Sequence, residues 1–505
     1  MKKTIVVHPF LLGIFQVLFL FSHNKKSMSL GEIVVPLAVI GLAVALIFLV
    51  LQAIMRNRIR AGIIVSTFVV LFFSYGRFHS MTSGVRHRYM LLFWAVLFVV
   101  ILYLTLRTRR PLKGLTDFMN VVAISLVVIS IVDIGVYTVR RDTAWSRDTI
   151  APGVDYHTPG PGEKGPLPDI YYIILDRYGG VASLSEYYDF DNSGFMDYLL
   201  DKGFYVATES KANYLKTAHS LASSLNMEYI NYLTERVGED CSDWMPLFTL
   251  LQDYKLWRFL KTRGYMFYHF GDWWEPTTRN KYADVNVNYY WLSEFATVLY
   301  ETTAFQPIGT RLGILDSRRQ QWKRIRYKFD RLAEMADIDE PTFVFAHMLV
   351  PHSPYVFDRD GGFITEKESL TRSERDGYID QLVYTNKRVM ELIDILIARS
   401  KRPPVIVLQS DEGPFPQRYK EDAYRFKWTD ATPEELKQKM RILNAYYLPG
   451  APDSVLYSSI SPVNSFRVVL NLYFGQDLEL MSDEIYAFVD NDHLYKFYSI
   501  TEVFE

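Results

Sequence analysis

The chain has 505 residues, which is too long for one typical domain, and it carries a formal net charge of −2. This near-neutral balance gives no electrostatic reason to expect a nucleic-acid partner. Cys241 is the one cysteine in the sequence, which excludes an intrachain disulfide framework and a cysteine-rich zinc site.

Five apolar runs in the first 141 residues predict a membrane domain. At least the second, fourth and fifth match a transmembrane helix of roughly 20 residues, whereas the first and third are shorter. The runs are residues 9–22, 32–54, 61–76, 89–106 and 119–139. A weak to moderate excess of Lys and Arg lies on the side of the N-terminus, so five spans would put everything after residue 141 outside the cytoplasm. An even number of spans would reverse that orientation.

A linker and a second domain are predicted after the membrane region. Residues 151–168 are rich in Pro and Gly and have no apolar period, which is typical of a linker. We therefore divide the chain into a membrane domain (1–141), a linker (142–168) and an extracytoplasmic domain (169–505).

Three short apolar runs in the second domain each stop at polar residues. The run 170–175 ends at Asp176, the run 342–346 ends at His347, and the run 405–409 leads to Asp411 and Glu412. Their length and β-branched content favour buried strands over helices.

The segment between the last two runs has apolar residues at helical spacing from about 373 to 399. A strand, a helix and a strand in this order predict a βαβ unit, and so a doubly wound, mostly parallel α/β sheet. Because parallel strands bring their carboxyl ends to one edge, we expect the polar residues there to form a site. His352, between two prolines after the second run, belongs to the same group.

Thr217 begins a run of small and apolar residues that suits a helix. Helix N-termini favour anions, so a hydroxyl there suits a nucleophile that handles phosphate or sulfate. For Thr217 alone, an N-cap is the more frequent explanation. Ser220 is a nearly equal candidate for either role.

Two further stretches carry weaker signals. Trp273, Trp274 and Arg279 could line a pocket for a polar substrate, although aromatic pairs next to turns more often serve packing. A basic stretch could contact anionic lipid headgroups, but a solvated helix face is the preferred interpretation. Its residues are Arg318, Arg319, Lys323, Arg324, Arg326 and Lys328.

One hydroxyl and three carboxylates suggest metal-assisted group transfer. A divalent cation held by carboxylates could also coordinate the Thr217 oxygen, lower its pKa and neutralise the charge of an attacked phosphate or sulfate. His347 and His352 would hold substrate oxygens.

In the order and spacing of these pieces, residues 168–475 resemble the alkaline phosphatase and sulfatase superfamily. The likeness is greatest to its membrane-anchored branch, which includes lipoteichoic acid synthases and phosphoethanolamine transferases. The resemblance implies an alkaline phosphatase-like fold, metal binding by Asp176, Asp411 and Glu412, covalent modification of Thr217, and contact of His352 with the transferred group.

Two departures from the family pattern bear on function. The family commonly has Asp-His-Gly where this chain has Asp411-Glu412-Gly413. An all-oxygen ligand set would favour manganese, magnesium or calcium over zinc. Sulfatases proper use a Cys or Ser in a Cys/Ser-x-Pro-x-Arg motif, and Thr217 has no such context.

The sequence thus predicts a multi-pass membrane enzyme that transfers or hydrolyses phospho-substituents in the cell envelope. Its substrate would be a phospholipid or an envelope glycan, and its partner the bilayer. The alternatives are a non-catalytic envelope scaffold, in which Glu412 no longer supports turnover, and a sulfuric ester hydrolase.

Overall fold

The computed structural model describes residues 4–82, 84–145, 167–289 and 292–505. Most of the predicted linker, residues 146–166, lies outside the described residues. The chain divides into two compact units, which are Met1–Ala144 with Tyr290–Ser317, and Trp145–Tyr289 with Arg318–Glu505. We call them the membrane unit and the sheet unit.

The elements have the following bounds. The helices are α1 His8–Asn24, α2 Val34–Met55, α3 Arg58–Met81, α4 His87–Arg107, α5 Lys113–Ala144, α6 Val181–Tyr188, α7 Ser193–Asp201, α8 Thr217–Asn226, α9 Leu233–Val237, α10 Met245–Gln252, α11 Lys255–Thr262, α12 Glu275–Thr278, α13 Glu294–Glu301, α14 Gln306–Leu312, α15 Ser317–Ala333, α16 Glu366–Ser369, α17 Glu374–Arg399, α18 Gln417–Glu421, α19 Pro433–Met440 and α20 Pro462–Phe474. The strands are β1 Ile170–Leu175, β2 Tyr205–Val206, β3 Met266–Phe270, β4 Val285–Val287, β5 Thr342–Met348, β6 Val405–Gln409, β7 Asn444–Tyr447, β8 Tyr486–Phe488 and β9 Phe497–Ser499.

The membrane unit is a bundle of long apolar helices. Among the described residues, four helical segments are long and apolar enough to cross a bilayer, namely Leu30–Met55, Arg58–Met81, His87–Arg107 and Lys113–Arg141. They correspond to the second to fifth predicted spans, and they make this a membrane protein. The first predicted span forms α1, whose 17 residues fall short of the roughly 20 that a perpendicular crossing needs. The number of spans and the orientation therefore stay predictions.

The sheet unit is built on a seven-stranded sheet in the order β2-β7-β6-β1-β5-β3-β4. The five strands from β6 to β4 run parallel, and β7 is antiparallel to both of its neighbours. The helix predicted between β5 and β6 is present as α17. The predicted fold class, apolar N-terminal helices followed by a mostly parallel α/β sheet, is confirmed.

The sheet is covered by apolar cores on both faces. Along β1, Ile170, Tyr172 and Ile174 pack into one core, whereas Tyr171 and Ile173 pack into the other. All six residues of β1 are buried, which explains why its sequence is a continuous apolar run without alternation. By the usual cost of large-to-alanine changes in a core, losing one such side chain would cost about 2–5 kcal/mol.

The register of the three central strands sets the position of the polar residues. Leu175 of β1 pairs with Met348 of β5, and Ile174 pairs with Gln409 of β6. The residues that follow these strands therefore leave the sheet at the same edge, as expected for parallel strands.

Candidate active site

Three buried side chains at this edge form a candidate metal-binding cluster. Asp176 follows β1, His347 is the next-to-last residue of β5, and Asp411 follows β6. One ligand atom from each lies within 4.8 Å of those of the other two. This is the kind of cluster that holds a divalent cation, with two carboxylates and one imidazole.

The cluster contains polar atoms that have no hydrogen-bond partner. Asp176 Oδ1, Asp411 Oδ2 and His347 Nε2 are buried and unpaired within the part of the chain that the structure describes. Burial raises the pKa of both aspartates, because a charged carboxylate loses its hydration there, and the nearby Glu412 carboxylate raises each pKa further. A bound cation would remove both penalties, so these residues fit a divalent metal.

His347 is held in an orientation that suits a ligand. Its Nδ1 and the hydroxyl of Thr277 are 2.8 Å apart in a hydrogen bond. Its Nε2 lies 3.5 Å from Asp176 Oδ2. Burial lowers the pKa of His347 to about 4, which keeps the imidazole neutral as metal binding requires. When Nδ1 donates to Thr277, the Nε2 lone pair faces the cluster.

A buried ion pair contacts the backbone at the carboxyl end of β5. Lys328 of α15 and Asp272, which follows β3, are fully buried and 3.0 Å apart. The Lys328 ammonium also donates to the backbone carbonyl of His347. The preferred interpretation of this basic stretch as a solvated face is therefore wrong at Arg324 and Lys328, which are 5% and 0% exposed. The ammonium is buried because Asp272 compensates its charge.

Thr217 lies beside this cluster. It is the first residue of α8, and the N-cap position is taken by Lys216, so the N-cap interpretation of Thr217 is wrong. Its side chain lies close enough to Asp411 to lower the pKa of that carboxyl, against the larger effect of burial. The rival hydroxyl of Ser220 donates instead to the carbonyl of Tyr214, at 2.9 Å.

The Glu412 carboxylate forms ion pairs with basic side chains. Its Oε1 lies 2.9 Å from Nζ of Lys439 and 3.3 Å from Nε of Arg177. Burial alone would raise the pKa of Glu412, but these two cations, with Lys216, hold it below its usual range. Its other oxygen, Oε2, is buried and unpaired. The structure thus puts one oxygen of this predicted metal ligand in an ion pair.

Gly413 allows the loop after β6 to approach α19. A Cβ at this position would lie 2.6 Å from the carbonyl of Gln438 and 2.8 Å from that of Lys439. The Gly413 amide donates to the Lys439 carbonyl, and the Lys439 ammonium donates back to the Gly413 carbonyl. The glycine of the Asp-Glu-Gly sequence is therefore required by backbone contact.

The loop after β1 is tied to the loop after β6. Ser410 accepts a hydrogen bond from the amide of Tyr178 at 2.9 Å and donates to the carbonyl of Glu412 at 2.8 Å. Arg177 adopts a left-handed backbone with φ of 63°. Such a conformation is uncommon for residues other than glycine, and it is found preferentially at functional sites.

A cavity of about 390 Å³ opens next to the cluster, and basic side chains dominate its charge. It is lined by Arg177, Lys216, His352 and Lys420, with Phe415 among its walls. The cationic groups of Arg177 and Lys216 lie 4.4 and 4.2 Å from the centre of the Phe415 ring. Both groups are within cation–π distance of that ring. Burial lowers the pKa of Lys216 well below its ordinary value, and the nearby Glu412 counteracts this.

His352 lines this cavity with one nitrogen engaged. Its Nδ1 hydrogen-bonds the carbonyl of Ser353, and burial lowers the pKa of the ring well below its ordinary value. The ring of Trp273 lies 6.2 Å from that of His352, and the ring of Trp274 lies 5.8 Å from that of His347. The two tryptophans thus pack beside the two histidines.

Several residues of the site were missed from the sequence. Arg177, Lys216 and Lys439 surround the acids, and Thr277 orients His347. Arg177 and Lys216 could have been found from the sequence, because they are directly adjacent to Asp176 and Thr217. Nothing in the local sequence marks Lys439, whose role depends on the packing of α19.

Comparison with known proteins relates part of the chain to a family. Residues 216–443 match the sulfatase family model. The predicted resemblance to the alkaline phosphatase and sulfatase superfamily is therefore confirmed. No curated protein matches the chain.

Solved structures with a similar fold include phosphoethanolamine transferases. The periplasmic domain of EptC from Escherichia coli is 14% identical, with 67% of this chain and 94% of that chain covered and a TM-score of 0.43. The integral membrane protein EptA from Neisseria meningitidis is 11% identical, with 92% and 95% covered and a TM-score of 0.39. A zinc complex of the Escherichia coli domain is also similar, at 14% identity, 66% and 96% coverage and a TM-score of 0.42.

Proposed function

We propose that the sheet unit of this sulfatase-family membrane protein is a metal-dependent enzyme that moves a phospho-substituent through a covalent intermediate on Thr217. The observation that carries the proposal is the position of Thr217 beside Asp411, in a buried cluster that fits a cation and next to a cavity with several basic side chains. Nucleophile, charge stabiliser and binding space thus lie together.

The metal ligands in this proposal are Asp176, His347 and Asp411, with the Thr217 oxygen completing the set. The bound cation would supply Lewis-acid stabilisation of negative charge on the phosphate and on the Thr217 oxygen. Because an imidazole joins the carboxylates, the set suits zinc as well as manganese, and the preference against zinc that an all-oxygen set implied no longer holds.

In the first step, the Thr217 oxygen attacks phosphorus, the bond from phosphorus to the leaving oxygen breaks, and the leaving oxygen departs with the bonding electrons and takes a proton from solvent. The Thr217 hydroxyl proton moves to the neighbouring Asp411 carboxylate. Arg177 and Lys216 neutralise the charge that develops on the phosphate oxygens.

In the second step, the hydroxyl of an acceptor, or water, attacks the phospho-threonine, the bond from phosphorus to the Thr217 oxygen breaks, and that oxygen takes back the proton held by Asp411. With Nδ1 of His352 donating to the Ser353 carbonyl, Nε2 is left as an acceptor for the proton of the incoming hydroxyl. Its lowered pKa favours the neutral base over a proton donor.

The membrane helices support a lipid or an envelope glycan as substrate, since a tethered enzyme remains near headgroups. In this proposal the sheet unit lies outside the cytoplasm. Sulfate-ester hydrolysis is less well supported, because Thr217 lacks the Cys/Ser-x-Pro-x-Arg context of sulfatases. A scaffold without activity is the remaining alternative.

Turnover of a chromogenic phosphodiester by the purified full-length protein tests this function. With added manganese or zinc, we expect hydrolysis that a chelator abolishes and that Thr217→Ala lowers by about a hundredfold or more. Thr217→Ser keeps the hydroxyl and should retain measurable activity. Ser220→Ala is the matched control and should be nearly as active as the parent protein. Equal activity of the Thr217→Ala variant would contradict the proposal, and absence of any turnover would favour the scaffold.

A further inference from the structure

A short segment between β4 and α15 belongs to the membrane unit. Residues 292–316 are grouped with the apolar N-terminal helices, although strands and helices of the sheet unit precede and follow them. Phe295 and Leu299 of α13 are 0% and 6% exposed, in one apolar cluster with residues of α1 and α3. The ring of Phe295 lies 6.3 Å from that of Phe21. This segment, residues 292–316, is called the inserted segment below.

The inserted segment is joined to α3 by backbone contacts. The Gly76 amide donates to the Thr302 carbonyl at 2.9 Å, and the Ala304 amide donates to the Phe72 carbonyl at 2.8 Å. A Cβ on Gly76 would lie 2.3 Å from the carbonyl oxygen of Glu301. Glycine at this position is what allows the two backbones to touch, so the attachment is specific.

The attachment lies inside the end of a helix that is apolar enough to span a bilayer. Gly76 and Phe72 are five and nine residues before Met81, the last residue of α3. At 1.5 Å per residue, these positions are about 8 and about 14 Å along the axis from the helix end. If the ends of α3 lie at the two surfaces, the first depth is that of the boundary between lipid headgroups and acyl chains, and the second lies among the acyl chains.

The outer side of the inserted segment is apolar. Ile308, Leu312 and Ile314 are 42%, 64% and 49% exposed. Ile308 and Leu312 are four residues apart on α14 and therefore share a face. The buried Gly309 packs against Tyr300, since its Cβ would lie 2.4 Å from the Tyr300 hydroxyl. One side of α14 is thus packed and the other presents apolar side chains.

We propose that the inserted segment lies in the membrane interface, with Ile308, Leu312 and Ile314 in contact with lipid acyl chains. The partner is the bilayer that the apolar helices span, because the segment is bonded to one of those helices below its end. Amphipathic segments bind at this level by burying an apolar face just beneath the headgroups. The neighbouring Arg311 can reach the headgroups with its long side chain.

This inference goes beyond the enzymatic proposal, and it holds whether or not the sheet unit is active. The chain passes between the two units before residue 167, before residue 292 and after residue 317. The sheet unit is therefore attached to membrane-bound chain at more than its N-terminal end. A lipid-embedded segment would keep that unit covalently tethered to the membrane even after cleavage of the linker.

Spin labelling of the full-length protein in vesicles of phosphatidylcholine and phosphatidylglycerol tests the inference. Cysteine is introduced at Leu312, and separately at Ile308 and Ile314, in a Cys241→Ser background. Collision of each label with oxygen, which concentrates in lipid, is compared with collision with a water-soluble nickel chelate. Leu370→Cys is the matched control, because Leu370 belongs to the sheet unit and is 83% exposed.

We expect a several-fold higher ratio of oxygen to nickel collisions at the inserted segment than at position 370. Ratios at positions 308, 312 and 314 equal to that at position 370 would overturn the inference. The three positions are independent, so a failure of one variant to fold leaves two that decide the question.

Discussion

At the scale of single residues, the central feature is that His347, and not Glu412, is placed to bind the metal. The family pattern has a histidine directly after the aspartate of β6, and here that position is Glu412, whose Oε1 pairs with Lys439. An imidazole nevertheless reaches the cluster, from β5. In our account His347 supplies the nitrogen ligand, and Glu412 is the counter-ion of a buried lysine.

Two substitutions separate these roles. His347→Ala should lower metal affinity by about ten- to a hundredfold or more, given that changes around metal ligands typically have effects of that size. Glu412→Gln should keep metal binding but lower the free energy of unfolding by about 3–5 kcal/mol, because Lys439 would be left buried without its partner. Elemental analysis of the purified variants and urea unfolding measure the two effects.

The double variant Glu412→Leu with Lys439→Met is the control for the second effect. It removes both buried charges, so its stability should recover most of the loss caused by Glu412→Gln. Loss of metal from Glu412→Gln, with retention by His347→Ala, would show that the roles are the reverse.

The raised pKa values of Asp176 and Asp411 predict a pH dependence of metal binding. Both carboxyls must be deprotonated to bind a cation, so affinity should rise with pH through the raised pKa values. Without metal, the folded state keeps protons that the unfolded chain loses above about pH 4. The stability of the metal-free protein should therefore fall as pH rises from about 4 through the raised pKa values of these two carboxyls.

Thermal unfolding across that window, with and without metal, measures this effect. A divalent cation at about a hundred times its dissociation constant should add about 2.7 kcal/mol above the window and progressively less below it. A metal-induced stabilisation that did not change with pH would mean that these carboxyls are not the ligands.

At the scale of elements, the site depends on loops that meet at the ends of parallel strands. The loop after β6 reaches α19 because Gly413 has no side chain. Gly413→Ala should therefore displace the loop, and we expect a loss of more than about 1 kcal/mol in stability together with weaker metal binding. Gly194→Ala is the matched control, since a Cβ there meets nothing within 4 Å and alanine favours the helix. Equal effects of the two changes would refute this role of Gly413.

The strands and the position of the site at their carboxyl ends could be predicted from the sequence. The runs before Asp176 and Asp411 are short, apolar and bounded by turn residues, and such local patterns determine strands directly. The metal role that we propose for His347 could not be predicted in this way, because it depends on β5 pairing beside β1 and on Thr277 orienting the ring. Lys439 was missed for the same reason, since the packing of α19 brings it to Glu412.

At the scale of the whole molecule, the sequence predicts a membrane part followed by a sheet domain, and the structure has both. The pattern did not reveal that residues 292–316 pack with the N-terminal helices, because the segment is too short for a span and its apolar residues are scattered. Packing between segments that are far apart in the chain cannot be predicted from a local sequence pattern. If both proposals hold, this arrangement suits a substrate that stays in the lipid surface.

The central claim is that Thr217 becomes covalently modified. The metal-loaded full-length protein would be mixed with a phosphodiester, quenched in acid within its turnover time and digested, and the peptides weighed by mass spectrometry. We predict a phospho-substituent on Thr217, and none on the corresponding peptide of the Thr217→Ala variant. Steady turnover with the adduct on Ser220, or with no adduct on the peptide that contains Thr217, would contradict the account.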